Sequence, residues 1–290
     1  MTIAENVNLP SIVREFQRLH SFTSAVTLAL SGPEKIDPSG HAFEWLKSGS
    51  QTRDEEGKQA FLKRESCYKC ALDVLEQLYT PIPAKVSKTT SSQKSLETLT
   101  KEDYQRERMK VLSIMQNSKD ELFHDALYDW FISKGMENDL LKMQTPYLET
   151  FLFNKKQRLD LLAKFYIKNE RFEKGAIFLL KMAESESDID LSKRVDYLSQ
   201  AYGSAKASTG NEKLLSEIKE KLEVARVQQK VLKELMTFVT SDKKSDSLSS
   251  SIKDLNSSLK NVTYVKKKIK NSKIFFESIS FIITLQKIIN

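Results

Sequence analysis

The sequence predicts an all-α fold, an irregular α-solenoid of stacked antiparallel helix pairs. Three observations carry that expectation. Glycine and proline number only 8 and 6 in 290 residues, too few for the turns of a β-rich chain. Apolar residues recur at three- and four-residue spacing through nearly every segment. The breaks between segments are short, so each helix must cover its apolar stripe with its neighbours in sequence. A strict tetratricopeptide repeat is absent: Leu161–Ala183 resembles one unit, but no register recurs.

Taken in order, Pro10 opens a helix carrying Ile12, Val13, Phe16, Leu19, Phe22, Val26, Leu28 and Leu30, and Ser31-Gly32-Pro33 is expected to stop it. A short helix follows over His41–Leu46. The next runs from Glu55 to Tyr79 with Phe61, Leu62, Ala71, Leu72, Leu75 and Leu78 inward. Residues 80–99, rich in Ser, Thr and Lys with two prolines, read as a mobile loop inserted between packed helices. Residues 1–264 are therefore expected to form one solenoid segment.

The stretch Ser118–Ser133, SKDELFHDALYDWFIS, is the most informative. Ser118 stands three residues before Glu121, the spacing of a capping box. Leu122, Phe123, Ala126, Leu127, Trp130 and Phe131 form a wide apolar stripe, with His124, Asp125, Tyr128 and Asp129 assigned to the polar face. Gly135 occupies a helix C-cap position. Beyond it, Thr145-Pro146 reads as an N-cap followed by proline at the first helical position. Tyr147, Leu148, Phe151 and Leu152 repeat the stripe, then Leu159, Leu162, Phe165 and Tyr166, with Asn169 ending that helix. Phe172, Ala176, Leu179 and Ala183 begin another, followed by Leu191, Val195, Leu198, Tyr202 and Ala205. A long helix over Asn211–Val239 carries Leu214, Ile218, Leu222, Ala225, Leu232 and Leu235. A further one over Asp246–Tyr264 carries Leu248, Ile252, Leu255, Leu259 and Val262.

Seven stretches also resemble a known family, in the same order. They are KIDPSG (Lys35–Gly40), QAFLKRESCYKC (Gln59–Cys70), SKDELFHDALYDWFI (Ser118–Ile132) and PYLETFL (Pro146–Leu152), then LDLLAKFYIKNERFEKGAIFLLKMAE (Leu159–Glu184), LSKRVDYLSQAYGSAKAS (Leu191–Ser208) and KLEVARVQQKVLKEL (Lys221–Leu235). Together they resemble the C-terminal helical region of the large inner-ring scaffold nucleoporins, the 155-kDa type and its 170-kDa and 157-kDa relatives. The resemblance covers Leu19–Tyr264, and none of its motifs is catalytic. It implies a structural part in the nuclear pore complex at the nuclear envelope, with other nucleoporins as partners (linker segments and neighbouring scaffold subunits). It further implies support of nucleocytoplasmic transport without chemistry. A helical-repeat adaptor of another multisubunit complex or of a vesicle coat shares every periodicity above; only the quoted motifs separate the two.

The formal charge of +7 invites a nucleic-acid reading, but six lysines and a single glutamate fall in Val265–Asn290, leaving the preceding body nearly neutral. A body so balanced lacks a basic stripe for phosphates, so no direct nucleic-acid partner is expected. Two cysteines fit a reducing compartment, and the first residues do not read as a secretory signal. The chain is read as cytosolic or nuclear.

No residue is assigned as catalytic, cofactor-binding or metal-ligating, and none as partner-binding. Cys67 and Cys70 make a C-x-x-C within a helical pattern, but zinc needs further ligands, and His20, His41 and His124 lack finger spacing. The pair reads as two small residues on a helix face. His124 beside Asp125 is not accompanied by an activated nucleophile, and the isolated glycines exclude a phosphate loop, so no cofactor and no enzyme are expected. Trp130, Phe131, Tyr147, Phe151, Phe165, Tyr166 and Phe172 have helical spacing and read mostly as core, a minority lining a groove.

Residues 265–290, VKKKIKNSKIFFESISFIITLQKIIN, depart from the family pattern. They read as a basic-apolar membrane-docking segment, as one more amphipathic helix, or as translated AT-rich non-coding sequence, and the Lys/Ile/Asn/Phe bias favours the last. Ile274–Ile289 is too short to span a bilayer. Membrane contact is thus expected only indirectly or through this tail. The resembling family carries a β-propeller ahead of its solenoid. With none in this chain, a fragment, a truncated gene model or a shortened paralogue is expected.

Overall fold

The computed structural model describes residues 8–49, 54–80, 99–154, 158–185, 189–241, 246–261, 263–265 and 267, except for the side chains of 238–241 and 246–248. They are helical, with no strand among the described residues. The chain divides into two compact units, Met1–Lys155 and Lys156–Asn290, each with its own core. Residues 81–98 and most of 265–290, the expected loop and tail, lie outside the described residues.

The first unit holds α1 (Leu9–Arg18), α2 (Phe22–Ile36), α3 (His41–Lys47), α4 (Glu55–Tyr79), α5 (Lys101–Gln116), α6 (Glu121–Ser133), α7 (Glu137–Leu140) and α8 (Leu148–Phe153). Helix α4 is its centre, packing on α1, α2, α3, α5 and α6. It is long enough to do so because Asp54 caps it, accepting from Gly57 N at 2.9 Å, and no proline interrupts its 25 residues. Its buried face is Cys67, Tyr68, Cys70, Ala71, Val74, Leu75 and Leu78. The expected bounds of α4 hold, whereas Leu62, expected inward, is 45% exposed.

The second unit holds α9 (Leu159–Lys168), α10 (Phe172–Glu184), α11 (Leu191–Ala207), α12 (Glu212–Ser241) and α13 (Asp246–Ser257). Each packs chiefly on its neighbour in sequence, α9 on α10, α10 on α11, α11 on α12 and α12 on α13. Leu179, Leu198, Ala201, Ile218, Val231 and Leu255 form the continuous core between them. All six apolar positions expected of α12 are buried.

Several helix ends differ from expectation, each for a local reason. The first helix breaks at Leu19–Ser21, because His20 turns left-handed at φ 56°. There Ser21 N bonds Phe16 O and His20 N bonds Gln17 O, the two bonds of a Schellman stop. Helix α2 then runs through Ser31-Gly32-Pro33 to Ile36, with Pro33 buried within it. The cap of α6 is Asp120, accepting from Leu122 N at 3.1 Å and Phe123 N at 3.4 Å, and Ser118 instead accepts from Asp120 N. Gly135 ends α6 as expected: at φ 69° it passes its N–H to Ile132 O while Met136 N reaches Phe131 O. Thr145-Pro146 lies in the turn ahead of α8, whose first residue is Leu148. Asn169 ends α9 as expected. Helix α13 stops at Ser257 rather than running to Tyr264, and a separate helical turn follows over 263–265.

Gly57 permits the closest approach in the first unit. A Cβ there would stand 2.4 Å from Asp54 Oδ2 and 2.7 Å from Trp45 Cβ, atoms with little freedom to move. Helix propensity alone would make Gly57→Ala stabilising by about 1 kcal/mol. The clash reverses that sign, and we expect a net loss of about 1–3 kcal/mol, read from urea unfolding followed by circular dichroism.

Candidate interaction surface

The first unit is organised by one guanidinium. Arg64 on α4 makes an ion pair through Nε to Asp37 Oδ2 at 3.0 Å and through Nη1 to Asp120 Oδ2 at 3.4 Å. Its Nη2 donates to Asp37 O at 3.1 Å. Both carboxylates are themselves helix caps. Asp37 accepts from His41 N at 2.8 Å and Ala42 N at 3.1 Å, satisfying the start of α3, and Asp120 starts α6. Tyr68, one turn on from Arg64, donates to Asp120 at 2.6 Å; burial and that carboxylate hold its phenol far above the ordinary range. Three of the stretches quoted above, those of Asp37, Arg64 and Asp120, therefore meet at a single point.

A second buried chain fixes the back of α6. His124 and Tyr128, assigned from sequence to a polar face, are fully buried. The reason is that α6 is covered on two sides, by α4 and by α7 and α8. His124 Nε2 donates to Ser118 O at 2.8 Å, which leaves Nδ1 to accept from Tyr128 O–H at 3.1 Å. Thr145 completes the chain by hydrogen bonding to the Tyr128 hydroxyl, so its side chain caps no helix. The imidazole is thereby held as the neutral Nε2–H tautomer. Burial lowers the His124 pKa from its ordinary 6.5, against the smaller upward pull of the Ser118 carbonyl.

Cys67 and Cys70 are free and buried. Burial, then the neighbouring Cys70, pushes the Cys67 thiol up to about 11, the opposite of an activated thiolate. Gly32 of α2 lies against Cys67, and a Cβ on Gly32 would be 2.9 Å from Cys67 Sγ. Among the described residues no group of three His, Cys, Asp or Glu is placed to hold a metal ion, and no helix is long and apolar enough to cross a membrane.

Of the seven aromatics, Phe131, Phe151, Phe165 and Tyr166 are core, whereas Trp130, Tyr147 and Phe172 are half-buried. Trp130 packs edge-on against Tyr79 at 5.6 Å, Arg108 lies 4.6 Å over the Tyr79 ring, and Lys134 pairs with Glu76 beside them. This gives the first unit a surface of aromatic and guanidinium groups, the residue types that dominate protein interfaces.

In the second unit, two side chains that periodicity had no reason to single out bind backbone. Arg194, 1% exposed, donates to Ala183 O and Ser185 O at 2.7 Å and to Ser257 O at 2.8 Å. Gln228, wholly buried, donates to Leu255 O and Ser258 O at 2.7 Å and accepts from Lys260 N at 2.9 Å. Together they satisfy carbonyls at and just past the end of α13, which would otherwise be left without an intrahelical partner. Tyr197 and Lys193 both bond Asp160, tying α11 to α9. A groove of about 400 Å³ opens beside α12, with Val224, Ala225 and Leu259 among its lining residues.

The family model described as the non-repetitive/WGA-negative nucleoporin C-terminal region matches residues 1–271. The chain belongs to that nucleoporin family. This nucleoporin is 28% identical over 230 residues to a probable nucleoporin of Schizosaccharomyces pombe, covering 76% of this chain and 16% of the relative. To the nuclear pore complex protein Nup154 of Drosophila melanogaster it is 29% identical over 281 residues, 90% of this chain and 20% of that protein. It thus spans about a sixth to a fifth of the length of these curated relatives. Its fold matches a crystal structure of the Chaetomium thermophilum Nup170 CTD–Nup145N complex at a TM-score of 0.76 and 25% identity, over 93% of this chain and 54% of that one. The resemblance read from the seven stretches is borne out, and the fold is an irregular α-solenoid.

Two tests follow from the buried polar groups. Replacing Arg64 by Met leaves Asp37, itself 3% exposed, without its counter-charge. We expect a loss of about 3–5 kcal/mol in urea unfolding, with Arg64→Lys intermediate. For His124 the folded pKa is depressed, so on acidification the unfolded chain takes up the proton first. Its contribution is whole above pH about 6.5 and is lost as pH falls below that value. The melting temperature of the wild type is therefore expected to drop by a few degrees more between pH 7.5 and 5.5 than that of His124→Gln.

Proposed function

We propose that this chain is a structural element of the nuclear pore complex, in the inner ring at the nuclear envelope. It holds segments of other nucleoporins on its helical surface and so supports nucleocytoplasmic transport. The single observation that carries this reading is the family match over nearly the whole chain. The solved neighbour that shares the fold is itself a complex with a second nucleoporin, Nup145N, which supports a linker-type partner for this chain also. The role is mechanical rather than enzymatic. The polar groups in the interior are spent on helix ends and backbone carbonyls, leaving half-buried aromatics and grooves for recognition. A few anchors of the Trp130 and Arg108 kind would dominate the binding energy, with the surrounding contacts excluding water. Direct contact with nucleic acid forms no part of the role, and contact with the membrane is indirect or through residues 265–290.

Affinity capture with a tagged chain from a eukaryotic extract, followed by mass spectrometry, tests this. Pore subunits, other scaffold and linker nucleoporins, should be enriched. Recovery of vesicle-coat subunits in their place would transfer the chain to the adaptor class. Trp130→Ala should reduce the yield of at least one linker nucleoporin several-fold while leaving the circular dichroism spectrum unchanged.

A further inference from the structure

The aromatic and guanidinium surface of the first unit carries a charge pattern that specifies what it binds. Tyr79, the last residue of α4, is its centre. The Tyr79 ring packs at near-right angles on Trp130 at 5.6 Å and on the buried Phe131 at 6.1 Å, both from α6. Packed against both, it presents a face to Arg108 of α5, whose guanidinium carbon lies 4.6 Å from the ring centroid. Three helices therefore fix a half-buried arginine beside a half-buried indole.

The nearby acids already have partners. Glu76 is paired with Lys134, Glu107 with Lys110 at 2.8 Å, and Asp139, whose charge reaches the Tyr79 phenol, with Lys142 at 2.9 Å. Arg108 forms neither an ion pair nor a hydrogen bond among the described residues. Stacking uses the face of a guanidinium and leaves its N–H edges free, the geometry that takes a carboxylate in two parallel bonds. Because Tyr79 already holds the side chain in place, little rotamer freedom is left to lose on binding.

The guanidinium and the indole are no more than about 10 Å apart, since Tyr79 lies 4.6 Å from one and 5.6 Å from the other. An extended chain advances about 3.3 Å per residue, so two or three residues bridge them. Nucleic acid fits less well. The three lysines beside Arg108 are already neutralised by carboxylates, so a phosphate backbone finds no continuous basic path.

We propose that this surface binds a linear segment of a second protein bearing an Asp or Glu two or three residues from a large apolar side chain. The carboxylate forks onto Arg108, and the apolar side chain covers Trp130. The proposal rests on the reading of this chain as a holder of other nucleoporins, and it specifies what the held segment must carry.

Selection of a displayed random-peptide library on the purified full chain tests it. Enriched peptides should share the acidic–apolar spacing. The strongest of them, made as a fluorescent peptide, should bind Arg108→Gln at least ten-fold more weakly and Arg108→Lys several-fold more weakly. Arg108→Glu should abolish binding, and a peptide with lysine in place of its carboxylate should restore it. Unchanged far-UV circular dichroism in each variant shows that the first unit is intact. Failure to enrich acidic peptides overturns the proposal, as does affinity indifferent to Arg108→Gln. Binding of a poly(U) oligonucleotide that Arg108→Gln removes, with no acidic peptide enriched, would assign the surface to nucleic acid and overturn it equally. If extract capture returns pore subunits in undiminished yield with Arg108→Glu, the nucleoporin reading stands and this one falls.

Discussion

Arg64 is the point on which the first unit depends. A guanidinium that is nearly out of water must find compensation for its charge, and it does so with two carboxylates that each already hold a helix start. The economy is geometric. Asp37 and Asp120 accept from backbone N–H groups on one side and form ion pairs with Arg64 on the other, so each helix entry is fixed both to its own first turn and to α4. Apolar packing alone would let α3 and α6 slide along α4, since burial is not directional. The charged pair removes that freedom.

The second unit solves the same problem with the opposite helix end. Arg194 and Gln228 reach carbonyls left over where α10 and α13 stop, and one buried side chain therefore serves several helices. Both groups are held among apolar neighbours, where an unmet donor is costly, so their hydrogen bonds select one arrangement of α13 on α11 and α12 over near alternatives. In each unit the residues that decide how helices meet are polar, even though the residues that drive them together are not.

This distinction explains what could be read from the sequence. The extent of α4 and the buried stripe of α12 follow directly from spacing, as does Gly135 at the end of α6, because propensity and packing agree there. The break at His20 escapes notice because a non-glycine residue in a left-handed conformation leaves no compositional mark. His124 and Tyr128 look like a polar face when one helix is considered alone, and become interior only because α6 is covered on two sides. Arg64, Arg194 and Gln228 resemble ordinary solvated residues until the backbone groups they meet, tens of positions away, are located. The family resemblance had already gathered Asp37, Arg64 and Asp120 within its quoted stretches, though not the reason they belong together.

The differing contact schemes of the two units have a dynamic corollary. In the first, five helices lean on a common central one, so loosening α4 removes support from all of them simultaneously and partial opening has few low-energy forms. In the second, each helix leans mainly on the next, so opening α13 would expose Arg194 and Gln228 but leave the packing of α9, α10 and α11 on one another in place. The first unit is thus built to open as a block, and the second to lose its packing stepwise from the α13 end.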